Sequence, residues 1–554
     1  MSHVVTQACC GDASCVFACP VNAIHPTPDE PDFGLAEMLY IDPKSCVDCG
    51  ACVSACPVGA IVPDVKVAAA QLPFVDINAL FFAEGRDYPI QAPVVPVARV
   101  DDSIDNLRVA IVGSGPAALY AADELLKQPG VAVTVIDRLP TPHGLVRAGV
   151  APDHESTKAI DVLFRKIEDQ PGFRYLLNVE VGRDLSHDEL LTHHHAVLYA
   201  TGASQDRALD IAGVDLPGSE TATTFVAWYN GHPDHAYRAF DLSGERAVIV
   251  GNGNVALDVA RILSVGPDRL ATTDIADHAL EALRQSAVRE VVLLGRRGAA
   301  QAAFTLPELV GLLSHEDIEF VVEGADLDEP VSDPMVARKL AALRSAVDRR
   351  PRPGARRIVF RFCASPAELL GDQRVAGVRV RANALVTDGD FVRAEATGQS
   401  EDLEAGLVLR SIGYYGKAVP GMPFDHVLGV IPNEGGRVAA NPGTYVVGWI
   451  KRGPSGFIGT NKSCAEETVG HLIADFNAGR LDAVRTARQF AELVNRRAPR
   501  AIDIRGWRAI DRTERRAGRQ QGRTRQKLTR LDQLLDAASE GRPSRRPLLG
   551  LARR

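Results

Sequence analysis

The feature that most constrains this chain is a run of four cysteines near its N-terminus. Cys46, Cys49, Cys52 and Cys56, followed by Pro57, show the spacing C-x2-C-x2-C-x3-C-P. In this spacing the first three thiolates hold one cubane iron–sulfur cluster and the fourth binds a second cluster. A zinc site would use two C-x2-C pairs and would not need the proline. The run therefore predicts a partner run elsewhere in the chain.

The partner run lies upstream and consists of Cys9, Asp12, Cys15, Cys19 and Pro20. It repeats the spacing with a carboxylate in place of the second cysteine. Eight of the ten cysteines lie between residues 9 and 56, which favours local metal ligation in a reducing compartment over the disulfides of a secreted protein. The two runs predict a small domain that holds two iron–sulfur clusters.

The charge of the chain is distributed unevenly. Residues 1–105 carry 14 acidic and 4 basic side chains, whereas residues 480–554 carry 8 acidic and 21 basic ones. The arginines of this tail alternate with acids and with Leu528, Leu531, Leu534 and Leu535, which is typical of a solvated helix face. No signal-peptide pattern begins the chain, and no stretch approaches the length of about 18 apolar residues that a membrane span needs. We expect a cytoplasmic protein with no nucleic-acid partner and no membrane insertion.

The first glycine-rich loop follows an apolar strand at 109–112. Residues 113–118 read G-x-G-x-x-A and open an Ala/Leu-rich helix, and a second strand at 131–136 ends at Asp137. Glycine lets the backbone approach a pyrophosphate at the start of the helix, and the acid accepts a hydrogen bond from a ribose hydroxyl. The combination predicts a dinucleotide-binding fold.

A second loop at 251–256, again G-x-G-x-x-A, follows the strand 247–250. Its partner strand, 290–295, ends in Arg296 and Arg297 instead of an acid. Guanidinium groups bind a 2′-phosphate bidentately, whereas a carboxylate would repel it. The second nucleotide is therefore predicted to be NADP(H), and the acid-tipped first fold is predicted to bind FAD.

The rest of the chain agrees with two nucleotide folds. The strand at 195–202 ends in Ala-Thr-Gly, which is typical of flavoproteins built in this way. Residues 106–554 lack the C-x-x-C pair of a disulfide reductase, and Cys363 and Cys464 are expected to be buried packing residues. The predicted fold class is α/β, with two Rossmann-like domains for FAD and NADP preceded by a small α+β two-cluster ferredoxin domain.

Two long segments resemble the adrenodoxin-reductase-like ferredoxin–NADP reductases. Leu139–His154 is similar to that family's segment after the FAD ribose acid, and Gly448–Asn461 is similar to its second flavin segment. The cysteine runs make this a bacterial version fused to a seven-iron or eight-iron ferredoxin. The resemblance covers nearly the whole chain.

These patterns divide the chain into six predicted segments. They are a two-cluster ferredoxin domain (1–66), a linker (67–105), the first part of the FAD domain (106–243), the NADP domain (244–404), the second part of the FAD domain (405–480) and a basic, mostly helical extension (481–554). The linker contains a proline-bearing stretch at 88–96 and an acidic patch at 101–105, and it is expected to pack partly on its neighbours.

The loops and the resemblance together imply the cofactor contacts. Those to FAD are Gly113, Gly115, Asp137, Leu145, Val181, Trp449, Gly456, Phe457 and Ile458. Those to NADP are Arg207, Asn252, Gly253, Asn254, Val255, Arg296, Arg297, Glu308 and Gly456.

The resemblance also implies three catalytic residues in positioning roles. His154 stands near the flavin, Glu308 contacts NADP, and Trp449 covers part of the flavin. The chain departs from the family at two positions. The family pairs the histidine with a glutamate one helical turn after Glu308, where this chain has Gly311, and it shows an aromatic residue in place of His143.

In the ferredoxin half the resemblance implies two sets of cluster ligands. The first cluster takes Cys9, Cys15 and Cys56, and the second takes Cys19, Cys46, Cys49 and Cys52. For a fourth ligand to the first cluster, Asp12 fits the spacing and Cys10 fits the chemistry. The second cluster is expected to be [4Fe–4S] and the first to be [4Fe–4S] or, without a fourth ligand, [3Fe–4S].

The resemblance implies a ferredoxin–NADP(+) reductase. In this reading NADPH transfers a hydride to FAD, and electrons then pass singly through the clusters to acceptors of the ferredoxin or cytochrome P450 type. Two alternatives stay open on the sequence. One is an NADPH-oxidising input subunit of a larger complex, as in glutamate synthase, and the other is a non-enzymatic iron–sulfur redox sensor.

Overall fold

The structure, a computed structural model, describes residues 2–83, 88–89, 98–101, 107–389, 391–482 and 484–541. Most of the proline-bearing stretch and of the acidic patch of the predicted linker lies outside the described residues, as does the end of the basic extension. None of the helices in these described ranges combines the length and the apolar character that a membrane span requires.

The N-terminal module is a small α+β unit. Its elements are β1 (His3–Val5), α1 (Ser14–Ala18), β2 (Ile24–His25), β3 (Tyr40–Ile41), α2 (Ala51–Ala55), β4 (Ile61–Pro63) and α3 (Pro73–Phe81). Strand β1 pairs with β4 and β2 with β3, both antiparallel. Helix α3 lies in the predicted linker, yet Phe74 and Ile77 are buried in the core of the module. Their helical spacing places both on one face, so this part of the linker belongs to the ferredoxin module.

The next part of the chain builds most of a parallel sheet. Its elements are β5 (Arg108–Val112), α4 (Pro116–Leu126), β6 (Ala132–Asp137), α5 (Gly144–Ala148), α6 (Glu155–Lys158), α7 (Asp161–Glu168), β7 (Phe173–Leu177), α8 (His187–His193), β8 (Ala196–Tyr199) and β9 (Gln205–Asp206). The two strands and the helix predicted around the first glycine loop are confirmed. Their continuous apolar runs suit strands that are covered on both faces.

The second parallel sheet and a smaller antiparallel sheet follow. Their elements are β10 (Ser219–Thr221), α9 (Ala222–Tyr229), β11 (Arg246–Val250), α10 (Asn254–Ser264), α11 (Pro267–Leu270), α12 (Asp277–Arg284), β12 (Glu290–Leu294), α13 (Leu306–Leu313), β13 (Ile318–Glu323), α14 (Pro334–Val347), β14 (Arg356–Arg361), β15 (Ala364–Leu370), β16 (Gly377–Asp388), β17 (Phe391–Glu404) and β18 (Leu407–Arg410). The parallel sheet has the order β10-β18-β11-β12-β14-β13, and β15-β16-β17 form an antiparallel meander.

The chain then returns to the first sheet. The remaining elements are β19 (Tyr414–Tyr415), β20 (Thr444–Val446), α15 (Trp449–Arg452), α16 (Thr460–Asn477), α17 (Ala487–Arg497), α18 (Ile504–Gln520) and α19 (Leu531–Ser539). Strand β20 joins the first sheet in the order β20-β8-β5-β6-β7, and β19 pairs with β9. Two all-parallel sheets, each with a glycine loop after its central strand, define an α/β fold with two dinucleotide-binding units.

The basic extension has the predicted solvated face, as at Leu531 and Arg512, but it also has a buried face that the sequence pattern did not predict. Leu534 is fully buried in the core of the first sheet's domain. Glu514 is fully buried as well and binds Arg147 of α5 and Arg525 within the extension. The buried Lys527 pairs with Asp274 of the second domain (3.0 Å). Arg525 and Lys527 are therefore largely buried inside the molecule, and Lys527 links the extension to the second nucleotide domain.

Candidate nucleotide and iron–sulfur sites

The first glycine loop lies at the carboxyl end of β5, where the chain turns into α4. Gly113 has a φ of +107°, and a Cβ there would lie 2.4 Å from the carbonyl oxygen of Ala200. Only glycine fits such a cradle. Asp137, at the end of β6, accepts hydrogen bonds from the amide (2.9 Å) and hydroxyl (2.6 Å) of Ser114, and burial raises the pKa of its carboxyl group. Loop, helix start and carboxylate converge as FAD binding requires.

The segments expected to complete this site are placed around the same loop. Gly144, at the start of α5, packs on Gly115, where a Cβ on Gly144 would lie 3.0 Å from the Cα of Gly115. Gly448, with a φ of +74°, packs on the first turn of α4, and a Cβ there would lie 2.6 Å from that of Ala117. Trp449 therefore begins α15 next to the first glycine loop. Its ring lies 5.5 Å from that of Tyr414.

The other predicted flavin contacts lie on the surrounding segments. Leu145 on α5 is half exposed, and Val181 lies in the turn after β7. Gly456 has a φ of +77°, and Phe457 and Ile458 follow it as half-buried residues before α16. Their contacts with the flavin remain predictions.

The second loop repeats the geometry of the first at the carboxyl end of β11. Gly251 has a φ of +117°, and a Cβ there would lie 2.2 Å from the carbonyl oxygen of Ser411. The side-chain oxygen of Asn254 accepts a hydrogen bond from the amide of Thr305 (2.8 Å), just before α13. Asn252 lies against Gly295 at the end of β12. The side chains of Asn252 and Asn254 thus place the loop 252–255 at the same edge of the sheet as Arg296 and Arg297.

Arg296 and Arg297 follow β12 and are held by their backbones. The carbonyl of Arg296 accepts a hydrogen bond from the side-chain amide of Asn383, and that of Arg297 accepts one from the amide of Cys363, both at 3.0 Å. Within the parts of the chain that the structure describes, neither guanidinium forms an ion pair. Two uncompensated cations at this place suit a 2′-phosphate. Arg207 is also exposed, beside Gly413.

A half-buried charge network joins the two nucleotide domains. The imidazole of His154 lies 3.8 Å from the carboxylate of Glu308 on α13 and 4.0 Å from that of Asp258 on α10. Arg261, almost fully buried, binds both Asp258 (2.7 Å) and Asp153 (2.7 Å). Burial raises the pKa of Glu308, the charge of His154 lowers it, and that of Asp258 raises it further. The structure thus brings together the predicted His154 and Glu308.

His143 has a structural environment that accounts for its departure from the family pattern. It has a φ of +80° and is buried. Its Nε2 lies 2.8 Å from the Glu168 carboxylate, which also accepts a hydrogen bond from Tyr175 (3.0 Å). The imidazole packs on Trp507 of the extension. Of the two single cysteines, Cys464 is buried as expected, whereas Cys363 is only half-buried, at a turn with a φ of +49°.

The cysteines of the first predicted set lie close together and form no disulfide. Burial raises the pKa of the Cys15 thiol well above its usual value. The charges of Cys9, Asp12, Cys56 and Cys52, in that order, raise it further. Three of these four neighbours, Cys9, Asp12 and Cys56, are the other groups predicted for the first cluster, and Cys52 is predicted for the second.

The second set is grouped in the same way. Burial raises the pKa of the Cys52 thiol to about 11, and the charges of Cys46, Cys19 and Cys49 add to this effect. Neighbouring thiolates repel one another, and metal ions relieve this repulsion because they supply positive charge and displace the protons of the thiols. The residues present therefore fit two iron–sulfur clusters, which would supply one-electron chemistry at these positions.

Asp12 and Cys10 are both buried; Cys10 lies beside Cys9 and Cys56, and Asp12 lies beside Cys9 and Cys15. The Asp12 carboxylate accepts hydrogen bonds from the amide (3.1 Å) and hydroxyl (2.7 Å) of Ser14 at the start of α1. Cys10 packs into the apolar core of the first sheet's domain. The fourth ligand of the first cluster stays a prediction.

The first cysteine motif is packed directly against the second flavin segment. The amide of Gly459 donates a hydrogen bond to the carbonyl of Cys10 (2.7 Å). A Cβ on Gly459 would lie 2.1 Å from the backbone of Gly11 and of Asp12. Glycine at 459 is therefore required for this contact, and a spacing pattern could not reveal it.

The module also packs on helix α13 of the second nucleotide domain. The Glu37 carboxylate accepts a hydrogen bond from the amide of Leu306 (2.6 Å) and pairs with Lys339 (2.8 Å). A Cβ on Gly311 would lie 1.9 Å from the side-chain nitrogen of Gln7. The position where the family has a glutamate is thus the place where the ferredoxin module sits.

Sequence reasoning missed two groups of residues. Asp153, Asp258 and Arg261 complete the network around His154, and only the spacing Asp258-x-x-Arg261 on one helix face hinted at a pair. Gln7 and Glu37 lie far from their partners in sequence, so no local signal could have found them.

Two family models match parts of the chain. A family model described as "pyridine nucleotide-disulphide oxidoreductase" matches residues 107–292, and one described as "4Fe-4S dicluster domain" matches residues 8–60. The chain is 52% identical over 562 residues to the "Probable ferredoxin/ferredoxin--NADP reductase" of Mycobacterium leprae (strain TN), covering 98% of this chain and 99% of that protein.

A second kind of relative lacks the N-terminal part. The chain is 48% identical over 446 residues to the "NADPH-ferredoxin reductase FprA" of Mycobacterium tuberculosis (strain CDC 1551 / Oshkosh), which covers 77% of this chain and 98% of that protein. The solved structure of "Mycobacterium tuberculosis FprA in complex with NADPH" superposes with a TM-score of 0.76 at 47% identity, over 78% of this chain and 100% of that one.

Fold, sites and relatives define an oxidoreductase with FAD and NADP domains joined to a dicluster iron–sulfur domain. The chain belongs to the adrenodoxin-reductase-like ferredoxin–NADP reductases, in the form that carries an N-terminal ferredoxin domain.

Proposed function

We propose that this reductase oxidises NADPH at its FAD site and delivers electrons singly, through the N-terminal clusters, to a protein acceptor of the ferredoxin or cytochrome P450 type. NADPH gives up a hydride, which carries two electrons, and leaves as NADP+, so two one-electron acceptors are reduced for each NADPH. FAD supplies this change from hydride to single electrons when it is bound. Names of the relatives support NADPH and ferredoxin as partners.

The observation that carries the proposal is the contact between the first cysteine motif and the second flavin segment. The hydrogen bond from Gly459 to Cys10 and the close approach of Gly11 leave no room for another group between the two backbones. This contact supports an electron path that leads from the flavin into the module. It gives less support to a regulatory module that acts apart from the reductase.

The proposed roles of the surrounding side chains are binding and orientation. Asp137 holds the FAD ribose, and Arg296 and Arg297 hold the 2′-phosphate of NADP. His154 and Glu308 lie where the two domains meet, and the raised pKa of Glu308 suits a group that shares a proton with the imidazole beside it. Trp449 shields one part of the flavin from water.

The double variant Arg296→Ala/Arg297→Ala tests the nucleotide assignment. We expect the KM for NADPH to rise roughly tenfold to a hundredfold, because about 1.5–3 kcal/mol of charge-assisted binding is lost. The KM for NADH should hardly change. Arg284→Ala, an exposed arginine of the same domain, serves as the control. An equal loss for both nucleotides would contradict the assignment.

A further inference from the structure

The flavin side of the reductase is already covered by its own ferredoxin module. The contacts of Gly459 with Cys10, of Gly311 with Gln7 and of Leu306 with Glu37 seal the module onto both nucleotide domains. Leu306 and Val310 of α13 are buried within the core of the module. An external protein therefore cannot reach this surface while the module is docked.

The second cysteine motif, unlike the first, is exposed to solvent. Val47 is 58% exposed, Cys49 is exposed, and Val53 on α2 is 38% exposed. None of the described residues packs over Val47 or Cys49 enough to bury them. By contrast, Cys10 and Asp12 of the first motif are each only 4% exposed. The module thus presents its second motif to solvent.

The charge of the module indicates which partner suits this face. Residues 2–83 carry nine acidic side chains and two lysines. Asp12, Glu37 and Asp76 lie on the side of the module that faces the reductase. There Glu37 forms an ion pair with Lys339, and Asp76 forms one with Arg338 (3.4 Å). Six acidic side chains remain on the rest of the module, namely Asp29, Glu30, Asp32, Asp42, Asp48 and Asp64. Of these, Asp48 lies within the second motif and Asp42 shortly before it, with the exposed Lys44 between them. A field of this sign attracts a basic surface and repels an acidic one.

We propose that the external acceptor docks on the second cysteine motif, around Val47, Cys49 and Val53, and that it is a one-electron carrier protein with a basic docking face. This inference rests on the proposed function, since it names the partner surface of the same electron route. In this proposal the first motif receives electrons from the flavin, and the second motif passes them to the external acceptor.

The test measures binding of cytochrome c, a basic haem protein, to the full-length, cluster-loaded and oxidised enzyme by titration calorimetry at low ionic strength. Val47→Lys should raise the Kd about twofold to fivefold, because it places a like charge in the interface, and Val47→Glu should lower it by a similar factor. Raising the salt concentration should shrink both differences. Val427→Lys and Val427→Glu, at a reductase position that is 93% exposed, are the matched controls and should leave the Kd unchanged.

The pair Val53→Lys and Val53→Glu repeats the test on α2, with iron content as the check that both clusters are intact. Binding that ignores both positions, or that responds equally at Val427, overturns the proposal. So does tighter binding by the lysine variants, which is the result expected for an acidic ferredoxin as partner. Because binding is measured without NADPH, a failure of docking leaves NADPH oxidation by the wild type intact, and an absence of NADPH oxidation leaves the binding result standing.

Discussion

The two cysteine motifs are built alike and are used differently. Each leads into a five-residue helix through a residue with left-handed backbone, Ala13 before α1 (φ 59°) and Gly50 before α2 (φ 73°). In each, the last cysteine sulfur accepts a hydrogen bond from the amide four residues on, at 3.2 Å. The local geometry is therefore a near repeat, as expected for two cluster-binding loops.

The difference between the motifs comes from what packs on them. The loop of the first motif is buried between the second flavin segment and the core of the first sheet's domain. The loop of the second motif faces solvent. The module, whose two motifs are similar, thereby has an inner end that contacts the reductase and an outer end that faces solvent. Substitutions at either end can test this difference between the two motifs.

The largest effect is expected from removing residues 1–105. The remaining chain should retain FAD and reduce ferricyanide with NADPH, since the FprA relatives contain only this part. Its reduction of protein acceptors should fall roughly a hundredfold or more, because the tethered module and its high effective concentration are lost. Steady-state rates with ferricyanide and with cytochrome c measure the two activities. An unchanged cytochrome c rate would show that the flavin reaches acceptors without the module.

A change at Asp12 should convert the inner motif into a copy of the outer one. A carboxylate is a harder ligand than a thiolate, so an iron held by Asp12 should be lost readily and leave an oxidised three-iron cluster with its EPR signal. Asp12→Cys should abolish nearly all of that signal in air-isolated protein. Asp12→Asn, which can still accept from Ser14, is the control and should keep it.

The alternative ligand makes the opposite prediction. With Cys10 as the fourth ligand, Cys10→Ser would create the three-iron signal and Asp12→Ala would have no effect on it. Four-iron clusters in air that respond to neither substitution would contradict our interpretation of the first motif.

Gly459→Ala should loosen the inner end without touching a cysteine. Its Cβ would meet the backbone of Gly11 and Asp12, which cannot swing away as a side chain can. We expect a cost of about 1–3 kcal/mol in module docking, seen as faster hydrogen exchange in the loop 10–13. Gly470→Ala, within the helix α16 that Gly459 precedes, is the matched control, because the nearest atom to the added Cβ would be 3.9 Å away. Equal exchange in both variants would argue against the contact.

The smallest effect should come from Gly311→Ala. The added methyl group displaces only the end of the flexible Gln7 side chain. This cost is offset by the gain of about 1 kcal/mol that alanine brings to a helix. The free energy of unfolding should therefore change by less than about 1 kcal/mol. Gly311→Glu, which buries a charge at the same place, should weaken docking clearly, and an identical response to both substitutions would contradict this account.

Much of the fold could be predicted because its signals are local. Strands β5, β6, β11 and β12 are short apolar runs, and each glycine loop follows its strand directly. The cysteine spacing also predicted which thiols group together, since thiolates three residues apart lie on one side of a tight turn. Helix α3 was missed because neighbouring prolines and alanines obscured its apolar face.

The sequence by itself determined the number and kind of binding units: two dinucleotide loops with an acid and two arginines at their strand ends, and two cysteine runs. Each depends on residues within one strand–turn–helix or one loop, where chain geometry sets the distances. Only the tertiary structure decided that the first cluster motif faces Gly459, that Gly311 receives Gln7, and that Lys527 of the tail bridges to Asp274. These contacts join residues far apart in the chain, and their partners are set by how separate cores pack against one another.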